Sequence, residues 1–193
     1  MKRRTFDSMV SIVGLFLAAV LVVAGSLLTW AHNFVSDEVH TQLAAQQIYF
    51  PPKGSEAIAA KEFAPMQKYA GQQLTTGAQA KVYADTFIAN HLKKAGGGQT
   101  YAQLSTKAQA NPDDQKLAGQ VATMFKGETL RGLLLNAYAF GTMGTIAGIA
   151  ALCAFIAAGV MLVLSALGLW HSRRVPPTAE IGGVDRELVG AHS

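Results

Sequence analysis

From Gly132 to Trp170 the chain runs 39 residues without Asp, Glu, Lys or Arg, and the run stops at His171-Ser172-Arg173-Arg174. A bilayer's hydrocarbon core needs only ~20 apolar helical residues. As one helix, at ~1.5 Å per residue, this run would be about 58 Å long, roughly twice that core. Polarity divides it. Gly132 to Thr145 carries Asn136, Tyr138, Thr142 and Thr145, whereas Ile146 to Trp170 is almost wholly Ala, Ile, Leu, Val, Gly and Phe. The pattern predicts a membrane span over 146–170, preceded by a juxtamembrane helix.

A second run obeys the same rule. Ser8 to Ser36 has no Asp, Glu, Lys or Arg, and Met9 to Trp30 is its apolar heart, long enough to cross a bilayer. The rival reading is a cleaved signal peptide, with Lys2-Arg3-Arg4 as its basic head and Val22-Val23-Ala24 as a small-residue site. Because Leu27-Leu28-Thr29-Trp30 continues the run past that site, the expectation is an uncleaved anchor. Trp30 and Trp170 suit the two membrane interfaces.

Charge then sets orientation. Lys2-Arg3-Arg4 precede the first run and Arg173-Arg174 follow the second, so the positive-inside rule places both termini in the cytoplasm and residues 31–145 outside. Segment 31–131 carries ten Lys/Arg against eight Asp/Glu, close to neutral, so the net charge of +4 reads as membrane orientation and not as a nucleic-acid surface. The expected domains are a basic head (1–8), span one (9–30), an extracytoplasmic helical domain (31–145), span two (146–170) and a flexible cytoplasmic tail (171–193). The fold class is all-α: a hairpin of two transmembrane helices with a helical domain between them.

Within 31–145 the signals are helical. Phe34, Val35, Val39, Leu43 and Ile48 share roughly one face of an extension of span one, which Pro51 and Pro52 should stop. Ser55 is placed to cap a short helix from Glu56 to about Phe63, with Pro65 and Gly71 as breakers beyond it. Thr76 with Gln79 has capping-box spacing and opens a helix whose stripe is Tyr83, Phe87, Ile88 and Leu92. Gly96-Gly97-Gly98 ends it. Thr100 with Gln103 repeats the box. Asn111-Pro112-Asp113-Asp114 reads as cap, first-position proline and first-turn acids for a helix whose apolar side is Leu117, Val121, Met124 and Phe125, extending to Leu130 if the helix continues, with Gly127 and Gly132 weakening its continuity into span two. No window alternates strictly, so no sheet is expected.

Two groups of residues are candidates for interaction. Gly144, Gly148 and Ala151 on span two, with Gly14 and Ala18 on span one, have small-residue spacing that lets helix backbones approach closely. They could serve the intramolecular hairpin, a homo-oligomer or a larger membrane complex equally well. Tyr49, Phe50, Pro51 and Pro52 form a candidate docking surface for a protein partner.

Catalytic signals are lacking. His32, Asp37, Glu38 and His40 are the tightest group of metal-type ligands, but on one helix positions 32 and 40 lie about 12 Å apart along the axis. There is no HExxH, GxSxG, phosphate loop or dinucleotide fingerprint. The single Cys153 sits inside span two, so no intramolecular disulfide is possible. The spans hold no ionisable side chain of the kind that pumps and proton relays place at depth. The chain therefore reads as a non-enzyme without cofactor or metal. Its partners are the lipid bilayer and possible protein subunits: an accessory subunit of an envelope complex or, alternatively, an extracytoplasmic small-molecule or lipid-binding domain that needs a signalling partner.

Three segments carry a resemblance: Phe50-Pro51-Pro52-Lys53-Gly54-Ser55-Glu56-Ala57, Tyr69-Ala70-Gly71-Gln72-Gln73-Leu74-Thr75-Thr76-Gly77-Ala78-Gln79-Ala80, and Gly127-Glu128-Thr129-Leu130-Arg131-Gly132-Leu133-Leu134-Leu135-Asn136-Ala137-Tyr138. Over most of 5–175 the chain resembles a family of small actinobacterial two-span membrane proteins, whose members often carry the label of aromatic ring-opening dioxygenase. The resemblance implies a cell-envelope setting. It brings no catalytic residue with it, since the iron ligands such a label requires have no counterpart in this sequence.

Overall fold

The computed structural model describes residues 3–176. Among these the protein is all-helical, with no strand. Two helices dominate, α1 (Arg3–Ala45, 43 residues) and α5 (Gln115–Arg174, 60 residues), and both are long and apolar enough to cross a membrane. The whole charge-free run from Gly132 to Trp170 lies inside α5 without a break. Gly127 and Gly132 do not interrupt it. Of the expected flexible tail (171–193), residues 171–174 are the last turn of α5, and 177–193 lie outside the described residues.

α1 extends past its apolar run, as the helical stripe from Phe34 to Leu43 implies, but it stops at Ala45, before the prolines. Gln47 adopts the left-handed conformation (φ 52°), and Gln73 Nε2 donates to the Ala44 carbonyl at 2.8 Å, satisfying one of the terminal carbonyls. Residues 48–51 then run antiparallel to 71–74. Leu74 N–H donates to the Ile48 carbonyl (2.8 Å), Phe50 N–H to Gln72 (2.9 Å) and Gly71 N–H to Pro51 (3.1 Å), leaving only an isolated bridge between Tyr49 and Gln73.

The expected helix from Glu56 to about Phe63 is split in two. Ser55 does cap it, accepting from Ala57 N–H at 3.2 Å, but the first piece is a 3₁₀ turn, Glu56–Ile58. A second 3₁₀ segment, Lys61–Tyr69, contains Pro65 instead of ending at it. Three residues per turn put Phe63 and Met66 on one side, and both are buried. Burial of that side holds the segment despite the proline.

Both capping boxes form. Thr76 Oγ1 accepts from Gln79 N–H (3.3 Å) and Gln79 Oε1 from Thr76 N–H (3.0 Å), opening α2 (Gly77–Val82). A π-helical turn, Tyr83–Ile88, joins α2 to α3 (Ala89–Ala95). Gly97 and Gly98 close this stretch with φ of 58° and 80°, a conformation that costs side-chain-bearing residues. The Thr100–Gln103 box opens α4 (Tyr101–Ala110). The next cap differs from the sequence reading. Asp114, not Asn111, starts α5, its Oδ1 accepting from Leu117 N–H at 2.9 Å. Asn111 instead closes α4, donating from Nδ2 to the Lys107 carbonyl at 3.0 Å.

The chain divides into two compact units, one pairing residues up to Ala31 with those from Ala147, the other spanning His32–Ile146. The second unit holds a conventional core. Phe50, Ile58, Met66 and Leu74 are its fully buried large side chains, joined by Leu43, Phe63, Ile88, Leu92, Leu104, Met124 and Leu134. Phe50 packs edge-on to Tyr83 (5.5 Å between centroids) and tilted against Tyr69 (5.3 Å), arrangements that aromatic quadrupoles favour.

The first unit is built differently. Its buried residues are Ser11, Gly14, Ala18, Gly25, Ala151, Ala158, Ser165 and Ser172, while Phe16, Val23, Leu27, Leu152, Ile156 and Val163 are exposed. Gly14 lies directly against Ser165, Gly168 against Ser11, and Gly25 against the Phe155 ring. Together with Ser8 donating to Ser172 Oγ (3.4 Å), these pairs run in opposite directions along the two apolar segments. Buried positions recur every seven residues (11, 18 and 25; 151, 158, 165 and 172), with Gly14 between the first two, the spacing of helices that cross at a shallow angle. Hydroxyls inside the helices bond back to their own backbones: Ser11 to Asp7, Ser26 to Val22 and Thr29 to Gly25, each at 2.8 Å.

Candidate functional site

The residues singled out from the sequence fall into different surroundings. Gly14, Ala18 and Ala151 lie on the small-residue seam of the first unit. Gly144 belongs to the second unit, where it packs against Val35. A methyl there would stand 3.1 Å from Val35 Cγ1. Its carbonyl accepts from His32 Nδ1 at 2.7 Å. Gly148 is half-buried. The four candidate docking residues are also separated. Phe50 is only 2% exposed and belongs to the core, so its ring offers nothing to a partner, whereas Tyr49 is 58% exposed and Pro52 is exposed.

The group His32, Asp37, Glu38 and His40 stays on an unbroken stretch of α1, which separates its outer members along the helix. Asp37 and His40 contribute instead to a cleft of about 490 Å³ with a mixed lining, Thr76, Tyr138, Thr142 and Thr145 among its other walls. The hydroxyls of Thr142 and Thr145 donate to the carbonyls of Tyr138 (2.8 Å) and Gly141 (2.9 Å) on their own helix.

A second concavity is apolar. The outer stretch of α1 and residues 130–140 of α5 enclose a groove of about 420 Å³. Leu43 and Leu134 form its floor and are buried, while Leu130, Leu133 and Phe140 rise along one wall, the last two 61% and 57% exposed. Glu38, Gln42 and Gln46 line the other rim at four-residue spacing, and Gln42 Nε2 donates to Glu38 Oε1 at 2.8 Å. Neither Lys nor Arg lines it. Its size and lining are those of sites that take apolar ligands. The sequence holds half of the signal, the Phe34–Val39–Leu43 stripe. On the other wall Leu130 belongs to the apolar side expected of its helix, but Leu133 and Phe140 are indistinguishable in sequence from a helix leading to a span.

Two further contacts tie α5 into this unit. Gly77 lies against it so closely that a methyl would stand 2.9 Å from the Ala137 carbonyl oxygen and 3.0 Å from Tyr138 Cα. Asp85 bridges Lys81 (2.8 Å) and Arg131 (3.2 Å), and Arg131 also reaches Glu128 (3.5 Å). The hydrogen bond from Lys81, reinforced by Arg131, holds the Asp85 carboxyl below its ordinary value, and the same bond raises Lys81. Burial raises the Tyr83 phenol. Among the described residues no group of three or more His, Cys, Asp or Glu side chains is placed to hold a metal ion.

No family model matches the chain, and no curated protein or solved structure matches it.

Proposed function

We propose that this is a non-enzymatic integral membrane protein. α1 and α5 each cross the bilayer once, as a hairpin with both termini in the cytoplasm. Residues 31–145 form an extracytoplasmic helical domain through which the protein serves as an accessory or interaction subunit of a cell-envelope complex. The observation that carries this reading is the contrast within the two long helices. Where they lack charge they bury Ser, Gly and Ala and expose Leu, Ile, Val and Phe, an arrangement suited to lipid. Between residues 32 and 146 they contribute to a unit with a large-residue core of its own. Trp170 with Arg174 stacked on its ring at 3.9 Å suits the inner interface. The resemblance to the actinobacterial two-span family supports the envelope setting.

Two measurements test it. A reporter active only in the cytoplasm should work at Ser193 and be silent when inserted near Gly97; the reverse pattern overturns the topology. A tag placed after Ser193, with extraction from native membranes in mild detergent, should recover a stoichiometric partner. A strictly monomeric protein with no partner would count against the subunit role.

The apolar groove favours the second reading, an extracytoplasmic domain that binds a lipid or small apolar molecule. It needs no partner for binding, only for transmission of any signal.

A further inference from the structure

We infer that the groove between the outer stretch of α1 and residues 130–140 of α5 holds one acyl chain of a membrane lipid, received from the outer leaflet. The inference rests on the proposed membrane crossing of α1 and α5 and names the occupant of the site. Three observations select a lipid chain. First is length: the α1 side of the groove runs from Phe34 to Leu43, about 14 Å by helical rise, close to the ~15 Å of hydrocarbon in one leaflet. Second is chemistry. The floor and one wall are Leu and Phe, the single charged lining residue is Glu38, and no cation is present to hold a phosphate, so the part of the lipid that fits is its tail and not its head. Third is continuity. Phe34 and Phe140 are the groove residues nearest along the chain to the apolar cores of α1 and α5, and both are exposed, so from that end of the groove each helix leads within a few residues into the stretch that would contact lipid. A chain lying there would cover Leu133 and Phe140, which water otherwise meets.

The test uses the full-length protein in phosphatidylcholine nanodiscs containing a trace of phosphatidylcholine with a diazirine at mid-chain. After photolysis, labelled peptides are mapped by mass spectrometry. The expected label falls on 34–48 and 130–140 as well as on the spans. Leu133→Asp should reduce groove labelling about tenfold, by setting a carboxylate against the chain, while leaving span labelling unchanged. Leu133→Trp, which keeps the wall apolar and fills the space, should do the same and carries the test if the aspartate variant fails to fold. Label confined to 9–30 and 146–170 would leave the membrane reading intact and overturn the acyl-chain assignment. So would groove labelling that neither variant reduces, or photocrosslinks there to a second copy of the chain in place of lipid. Absence of label from both regions would sink the membrane reading itself.

Discussion

The two units of this protein share two helices and bury opposite kinds of residue. In the His32–Ile146 unit, Phe50, Ile58, Met66 and Leu74 are inside, and the charged residues Lys81, Asp85, Glu128 and Arg131 form pairs at the surface. In the other unit Ala18, Ala151, Ala158 and Ser165 are inside, and leucine, valine and phenylalanine are outside. One solvent cannot explain both. In water, burying an apolar side chain is favourable by roughly 25 cal/mol per Å², so the largest apolar residues go inside. Surrounded by lipid, those residues gain nothing by burial, and what remains is close packing of backbones, which small residues permit. The contrast therefore says which solvent each part of α1 and α5 suits.

The largest effect should come from hollowing the core. Phe50→Ala removes a ring that contacts both Tyr69 and Tyr83 and should cost ~3–5 kcal/mol, read as a large fall in the thermal midpoint of the full-length protein in detergent. A near-silent Phe50→Ala would mean that the ring is not a core residue, and would restore Tyr49–Pro52 as a docking surface. Next is Gly77→Ala. Its methyl would meet backbone atoms of Ala137 and Tyr138 that cannot swing aside, so about 1–3 kcal/mol of strain is expected. Gly141→Ala is the control, because its methyl would reach Gly77 Cα only at 3.4 Å, near ordinary contact. Equal losses for the two would show that the backbones at Gly77 are not in close approach.

Features that depend on a few neighbouring residues could be read from the sequence. Thr76–Gln79 and Thr100–Gln103 form the capping boxes that their spacing implies, and Gly96-Gly97-Gly98 ends a helix. The two long apolar helices and the absence of strands among the described residues were legible for the same reason: hydrophobic runs and periodicity are local signals. What failed depended on tertiary partners. Asn111 and Asp114 both suit a cap, and the sequence offered no means of ranking Asp114 ahead of a residue followed by proline. Pro65 is tolerated because Phe63 and Met66 are buried on one side of a 3₁₀ turn, which no propensity foretells. Of the candidate site, only the α1 wall of the groove and Leu130 were visible. The rest of the α5 wall needed the knowledge that residues 130–140 stand opposite α1 in the second unit, and the close approach of Gly77 needed it too.

The small-residue seam offers a sharper test of the comparison. Ala18→Leu or Ala158→Leu would force the apolar segments apart and should lower the detergent midpoint, by less than Phe50→Ala, at about 1–3 kcal/mol. Val163→Ala, at a 59% exposed position, should change almost nothing, because lipid or detergent replaces the lost contacts. If Val163→Ala costs as much as Ala18→Leu, the exposed face is covered by protein, and a partner helix must sit on it.

The smallest effect belongs to Asp85, and its sign is fixed by the direction of its shift. Lys81 and then Arg131 favour the ionised carboxylate, so the folded protein binds that proton less readily than the unfolded chain. The stability this contributes is present above the ordinary carboxyl range of about 4 and is lost as the pH falls through the folded value. The Asp85→Asn variant lacks this titration. The difference in thermal midpoint between parent and variant should be small at neutral pH, smaller still in high salt, and vanish in acid, since the Asp85 side chain is 36% exposed and that of Lys81 47%. A difference that persists at about pH 3, below the ordinary carboxyl range, would assign the effect to the shape of the side chain and not to its charge. It would also remove the Asp85–Arg131 pair as an electrostatic tie between the α2 region and the residue just before the charge-free run.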